Sequence, residues 1–209
     1  GATIVGIDSA VDSDHVAAYI GVDNYGAGQM AAQSALDGME GELHVGLINY
    51  EVNGANGQER EQGARDTFAA SGRADIIAAV STHPNAKSAR TDALAMLRDH
   101  PELNVLIAFN EMTAVGVAQA VQQMQRTDDL WLVAFDSNVT TVDALQIGAV
   151  DALVVQNTYA MGYFGVESAY KLLAGQGSSV EKENITAARV ITRDNLFAMD
   201  KQKMLFPFG

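Results

Sequence analysis

Six short apolar runs punctuate the chain, at residues 3–7, 43–48, 76–80, 105–109, 130–135 and 152–155. Each has the length of a strand, is rich in β-branched residues and is nearly unbroken in hydrophobicity, the signature of strands buried on both faces. Helical periodicity fills the gaps. Ala86, Ala89, Ala93, Leu94 and Leu97 fall on one stripe of an amphipathic helix. Gly162, Val166, Ala169, Tyr170 and Leu173 form a second stripe, and Gly175 is placed to cap it. Strands alternating with helices of this length predict an α/β fold built on a doubly wound, mostly parallel sheet. There is no repeat of fixed period, and the only linker-like stretch is the short run 175–179.

Several of these strands end in a polar residue where the run leaves the core: Asp8, Asn110, Asp136 and Gln156. In open α/β sheets, ligands bind outside the carboxyl ends of the strands. Four hydrogen-bonding side chains at four such ends can converge on one polar ligand. Taken singly, each is also an ordinary turn former or helix cap.

Composition narrows the function classes. With 13 basic and 26 acidic residues the formal charge is −13, a balance that repels phosphate backbones and anionic membrane surfaces. A direct nucleic-acid partner is therefore not expected. Cysteine is absent, which removes disulfides, thiolate metal sites and a cysteine nucleophile. No apolar run approaches the roughly 20 residues that span a bilayer. The chain opens directly on a core strand, as a trimmed piece or the mature end of a longer protein would. The stretch Gly21-Val-Asp-Asn-Tyr-Gly-Ala-Gly-Gln-Met30 matches neither a dinucleotide fingerprint nor a P-loop, and reads as a turn into a helix capped by Asp23 or Asn24. His15, His44, His83 and His100 lack metal-ligand spacing, so neither a metal nor a cofactor is expected. Asp12-Ser-Asp14 reads as a solvated loop rather than a calcium loop. Asn138-Val-Thr140 and Asn184-Ile-Thr186 match the glycosylation pattern, a weak motif.

Arg60 stands apart. In Gly57-Gln-Glu-Arg60-Glu-Gln-Gly63 it is placed at a helix start, where an acidic residue is the favourable choice. An arginine there either serves a ligand, its fork of donors suiting hydroxyls and carboxylates alike, or pairs on the surface with Glu59 or Glu61.

With these residues in place, the chain resembles a type I periplasmic binding protein of the ribose-binding, LacI-like family. The resemblance is carried by Ile4-Val-Gly-Ile-Asp8, Ile20-Gly-Val-Asp-Asn-Tyr-Gly-Ala-Gly28, Arg60-x-x-Gly63, Asn104-Val-Leu-Ile-Ala-Phe-Asn110-Glu, Val133-Ala-Phe-Asp136 and Val154-Val-Gln156-Asn-Thr-Tyr-Ala-Met-Gly162. It implies two α/β lobes joined by three crossings and closing around a sugar. Asp8, Arg60, Asn110, Asp136 and Gln156 match the family's sugar-contacting positions. Ser9 stands where ribose binders carry an arginine, and His83-Pro84 where they place a stacking aromatic. The resemblance further implies that the first third of the family's chain is missing. Residues 23–155 and 187–209 would then form a complete second lobe. Residues 1–22 and 157–186 would be a remnant of the first, roughly one strand with its loop and one or two helices.

The implied function is that of a solute-binding protein, not an enzyme, taking a sugar or related polyol to an ABC-type importer or a receptor. The implied location is periplasmic or extracellular, with a lipid anchor as an option for the full-length protein. An unpaired remnant strand would favour self-association. Two other classes use such a fold: the effector-sensing domain of a LacI-type repressor, which a preceding helix-turn-helix would reveal, and a small α/β sugar-modifying enzyme.

Overall fold

The computed structural model describes residues 2–50 and 54–206, so the outermost positions of the expected ranges 1–22 and 187–209 lie outside the described residues. In chain order the strands are β1 (Ile4–Ile7), β2 (Val16–Val22), β3 (Leu43–Tyr50), β4 (Ala74–Thr82), β5 (Val105–Ala108), β6 (Trp131–Phe135), β7 (Ala152–Gln156), β8 (Glu183–Thr186) and β9 (Ala188–Thr192). The helices are α1 (Asn24–Gly38), α2 (Ala55–Ser71), α3 (Ala86–Asp99), α4 (Glu111–Gln123), α5 (Val139–Gln146), α6 (Thr158–Leu173) and α7 (Met199–Leu205).

Two sheets result. The larger runs β4-β3-β5-β6-β7-β9, parallel throughout except for β9, which pairs antiparallel with β7. The smaller runs β1-β2-β8 and is wholly parallel. The α/β class and the mostly parallel sheet are as the alternation predicts. Sheet membership changes three times, between Val22 and Asn24, between Gln156 and Thr158, and between Thr186 and Ala188.

The period of two in each central strand builds a core on both faces of the large sheet. Val105, Ile107, Phe109, Val133, Phe135 and Val154 pack beneath α1 and α2 with Phe68. Leu106, Ala108, Leu132, Ala134, Leu153 and Val155 face the opposite layer with Leu97, Val117, Val121 and Leu145. Every residue of β5 is buried, as a strand covered on both sides requires.

The α1 and α2 contact depends on glycine. A Cβ on Gly28 would lie 1.9 Å from the Arg60 carbonyl oxygen, and one on Gly63 would lie 2.0 Å from that of Tyr25. The two helices thus meet backbone against backbone, and this close approach brings Arg60 beside the start of α1.

Several expectations are corrected. The first 22 residues hold two strands rather than one. β2 escapes the apolar-run criterion because Ala17, Ala18 and Gly21 interrupt it, and the polar edge strands β8 and β9 escape it as well. The run at 3–7 is not buried on both faces: Ile4 and Ile7 are exposed, because β1 is an edge strand. The stripe read on α6 faces outward, with Val166 71% and Leu173 78% exposed; Met161 and Gly165 form the buried side. By contrast, Ala89, Ala93 and Leu97 of α3 are buried as read, and Gly175 takes the left-handed conformation that ends α6. No helix among the described residues is long and apolar enough to cross a membrane.

Candidate functional site

Asp8 and Asp136 are built alike. Each is the first residue beyond its strand, and each backbone N–H still donates to the neighbouring parallel strand, Asp8 to the Ile20 carbonyl and Asp136 to that of Val154, both at 2.9 Å. Each then turns into the left-handed region, with φ of 70° at Asp8 and 64° at Asp136. Among the described residues only Gln125, just past α4, shares that conformation without being glycine. Aspartate tolerates it better than most residues, but it still costs on the order of 1 kcal/mol. The same turn therefore displays a carboxylate at the end of a strand in each sheet.

Arg60 is 2% exposed. Its Nε donates to Asn24 Oδ1 and its Nη1 to the Phe109 carbonyl, both at 2.9 Å, while Nη1 also lies 3.9 Å from Asp136 Oδ2. The guanidinium sits 4.8 Å from the centre of the Phe135 ring. This position differs both from the expected helix start and from a surface pair with Glu59 or Glu61. α2 begins at Ala55, so Arg60 lies in the second turn and the unfavourable first-turn placement does not arise. Nor is it a surface pair: Glu61 binds Arg65 at 2.6 Å and accepts from Asn49 at 2.7 Å.

Gln156 ends β7 and its Nε2 donates to Asp136 Oδ1 at 2.5 Å. Burial pushes the Asp136 carboxyl above the ordinary carboxylate range; Arg60 and Gln156 pull it back, and the charges of Asp8 and Glu111 push it further up. Arg60, Asp136 and Gln156 thus form one connected group, and Asp8 acts on it through its field. Asn110 has two roles in view. Its Oδ1 accepts from the Thr113 N–H at 2.9 Å and hydroxyl at 2.8 Å, closing a capping box on α4 and leaving the amide NH₂ for other partners. It adjoins Phe109, whose carbonyl holds Arg60.

The smaller sheet faces this group through the loop after β1. Tyr19 Oη donates to the Asp8 carbonyl at 2.7 Å, and its hydroxyl is held above its ordinary pKa by burial and by the charges of Asp8, Glu59 and Glu183. Ser9 Oγ lies 3.4 Å from Asp8 Oδ2 and accepts a long hydrogen bond, 3.5 Å, from Asn56 Nδ2 near the start of α2.

Sequence reasoning assigns no site role to Asn24, Glu111 or Asn138. Asn24 was one of two candidate caps; Asp23 takes that role, accepting from the Gly26 N–H at 2.8 Å, which frees the buried Asn24 for Arg60. Asn138, noticed only as a sequon, caps α5 and donates to Glu111 Oε1 at 2.7 Å. Neither link has a local signal, because each joins residues far apart in the chain. No group of three or more histidine and acidic side chains among the described residues is arranged to hold a metal ion.

Residues 1–177 match the periplasmic binding protein domain. A D-ribose/D-allose-binding protein of Pseudomonas aeruginosa is 28% identical over 196 residues, covering 91% of this chain and 61% of the relative. The chain therefore spans about three fifths of that relative's length. Among solved structures, a carbohydrate-transporter solute-binding protein from Agrobacterium radiobacter, in complex with D-arabinose, is 27% identical with a TM-score of 0.92, covering 97% of this chain and 70% of that one. A glucose-galactose binding protein from Geobacillus stearothermophilus is 30% identical with a TM-score of 0.88, covering 93% and 69%. A domain match over most of the chain, and close agreement with solved members along almost all of it, establish that this chain belongs to the periplasmic binding protein family.

Proposed function

We propose that this chain binds a sugar or related polyol between the Asp8 turn and the group formed by Arg60, Asn110, Asp136 and Gln156, as part of a solute-binding protein serving an ABC-type importer or a receptor outside the cytoplasm. The observation that carries this reading is the buried guanidinium of Arg60. It is pinned by Asn24 and the Phe109 carbonyl and turned toward the Asp136 carboxylate beside Gln156. Pairing and orientation of this kind suit recognition of vicinal hydroxyls: carboxylate oxygens accept, the guanidinium and the Asn110 amide donate, and low local dielectric strengthens each bond. The names of the relatives agree with this reading, being proteins for ribose, allose, arabinose, glucose and galactose.

In this reading the two sheets are parts of two lobes, 1–22 with 157–186 and 23–155 with 187–209, and the three changes of sheet are the crossings between them. The exposed edge of β1 and the outward stripe of α6 would then favour pairing of two copies, which light scattering after size exclusion reads as a dimer mass. A monomer at micromolar concentration would refute the pairing.

Titration of the ¹⁵N-labelled chain with pentoses, hexoses and polyols tests the binding. The side-chain amides of Gln156 and Asn110 should shift with a saturable dependence on one class of sugar. If no sugar moves them at tens of millimolar, the reading fails.

A further inference from the structure

The cleft that suits a sugar's hydroxyls also carries more carboxylates than cations, with Asp8 and Asp136 set against Arg60. Asp8 and Asp136 place two carboxylates at the site, and the charge of Glu111 also acts on Asp136. The cation acting on Asp136 is Arg60, and two of its donors are already spent on Asn24 and the Phe109 carbonyl. Ser9, next to Asp8, contributes a hydroxyl and no charge.

A second observation points the same way. Gln156 is 7% exposed, and its amide is oriented by the bond from Nε2 to Asp136. Its Oε1 is buried with no hydrogen-bond partner among the described residues. A buried acceptor left unmade is costly, so an orphan here marks a place where a donor belongs. The site thus sets two carboxylates and an unmade acceptor against one guanidinium.

We propose that the cleft selects a sugar carrying a protonated amine over the same sugar without it, the ammonium lying among Asp136, Gln156 Oε1 and Asp8. This deepens the sugar-binding reading and rests on it. A hydroxyl brings one proton and no charge. An ammonium brings three donors and the positive charge that the carboxylates lack, and hydrogen bonds between charged partners are the stronger kind.

The test titrates the labelled chain at about pH 6, where a sugar amine is protonated, with aminodeoxy pentoses and hexoses, their parent sugars and their N-acetyl derivatives. The Gln156 and Asn110 side-chain amides are the readout. The amine should bind at least about tenfold more tightly than the parent and the N-acetyl form, in keeping with one charged hydrogen bond gained. Added salt should shrink that ratio, and Ser9→Arg, which supplies the missing cation, should abolish it. A parent sugar that binds as well as its amine overturns the selectivity and leaves sugar binding standing. A simple alkylammonium ion that shifts the amides as strongly as the amino sugar also overturns it. Silence from every sugar overturns both readings.

Discussion

Replacing Arg60 with methionine tests how the site is held together. Methionine keeps an unbranched stem and can still pack against Phe135, so what is lost is the guanidinium. Two hydrogen bonds from a charged donor, to Asn24 and to the Phe109 carbonyl, contribute about 1.5–3 kcal/mol each. The ion pair with Asp136 adds about 1 kcal/mol at most, because it is 3.9 Å long and the aspartate side chain is 24% exposed. Contact of the thioether with the aromatic ring returns about 1 kcal/mol. The expected loss is about 2–6 kcal/mol, a large share of the stability of an ordinary domain. Urea unfolding followed through Trp131, the only tryptophan, measures it.

The pH dependence of that loss separates the ion pair from the packing. Arg60 lowers a carboxyl that burial has raised, so without it the folded-state pKa of Asp136 climbs further above the unfolded value of 3.8. An acid whose pKa is raised by folding weakens the fold while it is ionised, and the penalty fades as pH falls through the folded pKa toward the unfolded one. The gap between Arg60→Met and the parent should therefore narrow on acidification from pH 7 toward about pH 4. A gap that stays constant with pH would show that Arg60 does not act on Asp136. A loss below about 1 kcal/mol would mean that the guanidinium is solvated rather than held.

In the full-length protein, Asp136→Ala should weaken binding of the preferred sugar by about 2–5 kcal/mol in calorimetry, whereas Ala at His15 or His100 should leave it unchanged; equal affinity in Asp136→Ala would remove that residue from the site. Asn110→Ala and Asn138→Ala each remove a capping box and should cost about 1 kcal/mol of stability, but only the former should also weaken sugar binding. Gly63→Ala should cost about 1–3 kcal/mol or more by forcing α1 and α2 apart, and should also shift the Gln156 side-chain amide resonance, since Arg60 is held between these helices and acts on the Asp136 carboxylate that Gln156 binds.

The legible part of the fold is the part that its own periodicity stabilises. β3, β5, β6 and β7 are covered on both faces, so their apolar runs are unbroken and readable. β8 is four residues of Glu-Asn-Ile-Thr whose strand character comes from pairing with β2, and no local pattern reveals a partner so far away. The site divides along the same line. Asp8, Asp136 and Gln156 are conspicuous because a polar side chain ends an apolar run. Asn110 is conspicuous for the same reason, although its cap explains half of its side chain. The environment of Arg60 was not legible, because burial depends on two glycines letting α1 and α2 meet, and on Asn24 and Phe109 arriving from other elements. The α6 stripe misled for a related reason: periodicity shows that a helix has an apolar face but not which neighbour covers it.

The small sheet also has a consequence in time. β3 to β7 follow one another along the chain and are joined by helices that pack as they form, so the large sheet can assemble from neighbours in sequence. Closing the β1-β2-β8 sheet requires a meeting across most of the chain; Thr186 Oγ1 donates to the Gly21 carbonyl, a partner 165 residues away. Such a closure loses more loop entropy before any contact repays it, so it comes late in folding and opens early in unfolding. The Asp8 turn rides on this sheet while Asp136 rides on the other. A folding chain therefore completes the Arg60–Asp136 half of the cleft first, and hydrogen exchange should find the amides of β1, β2 and β8 less protected than those of β5 and β6.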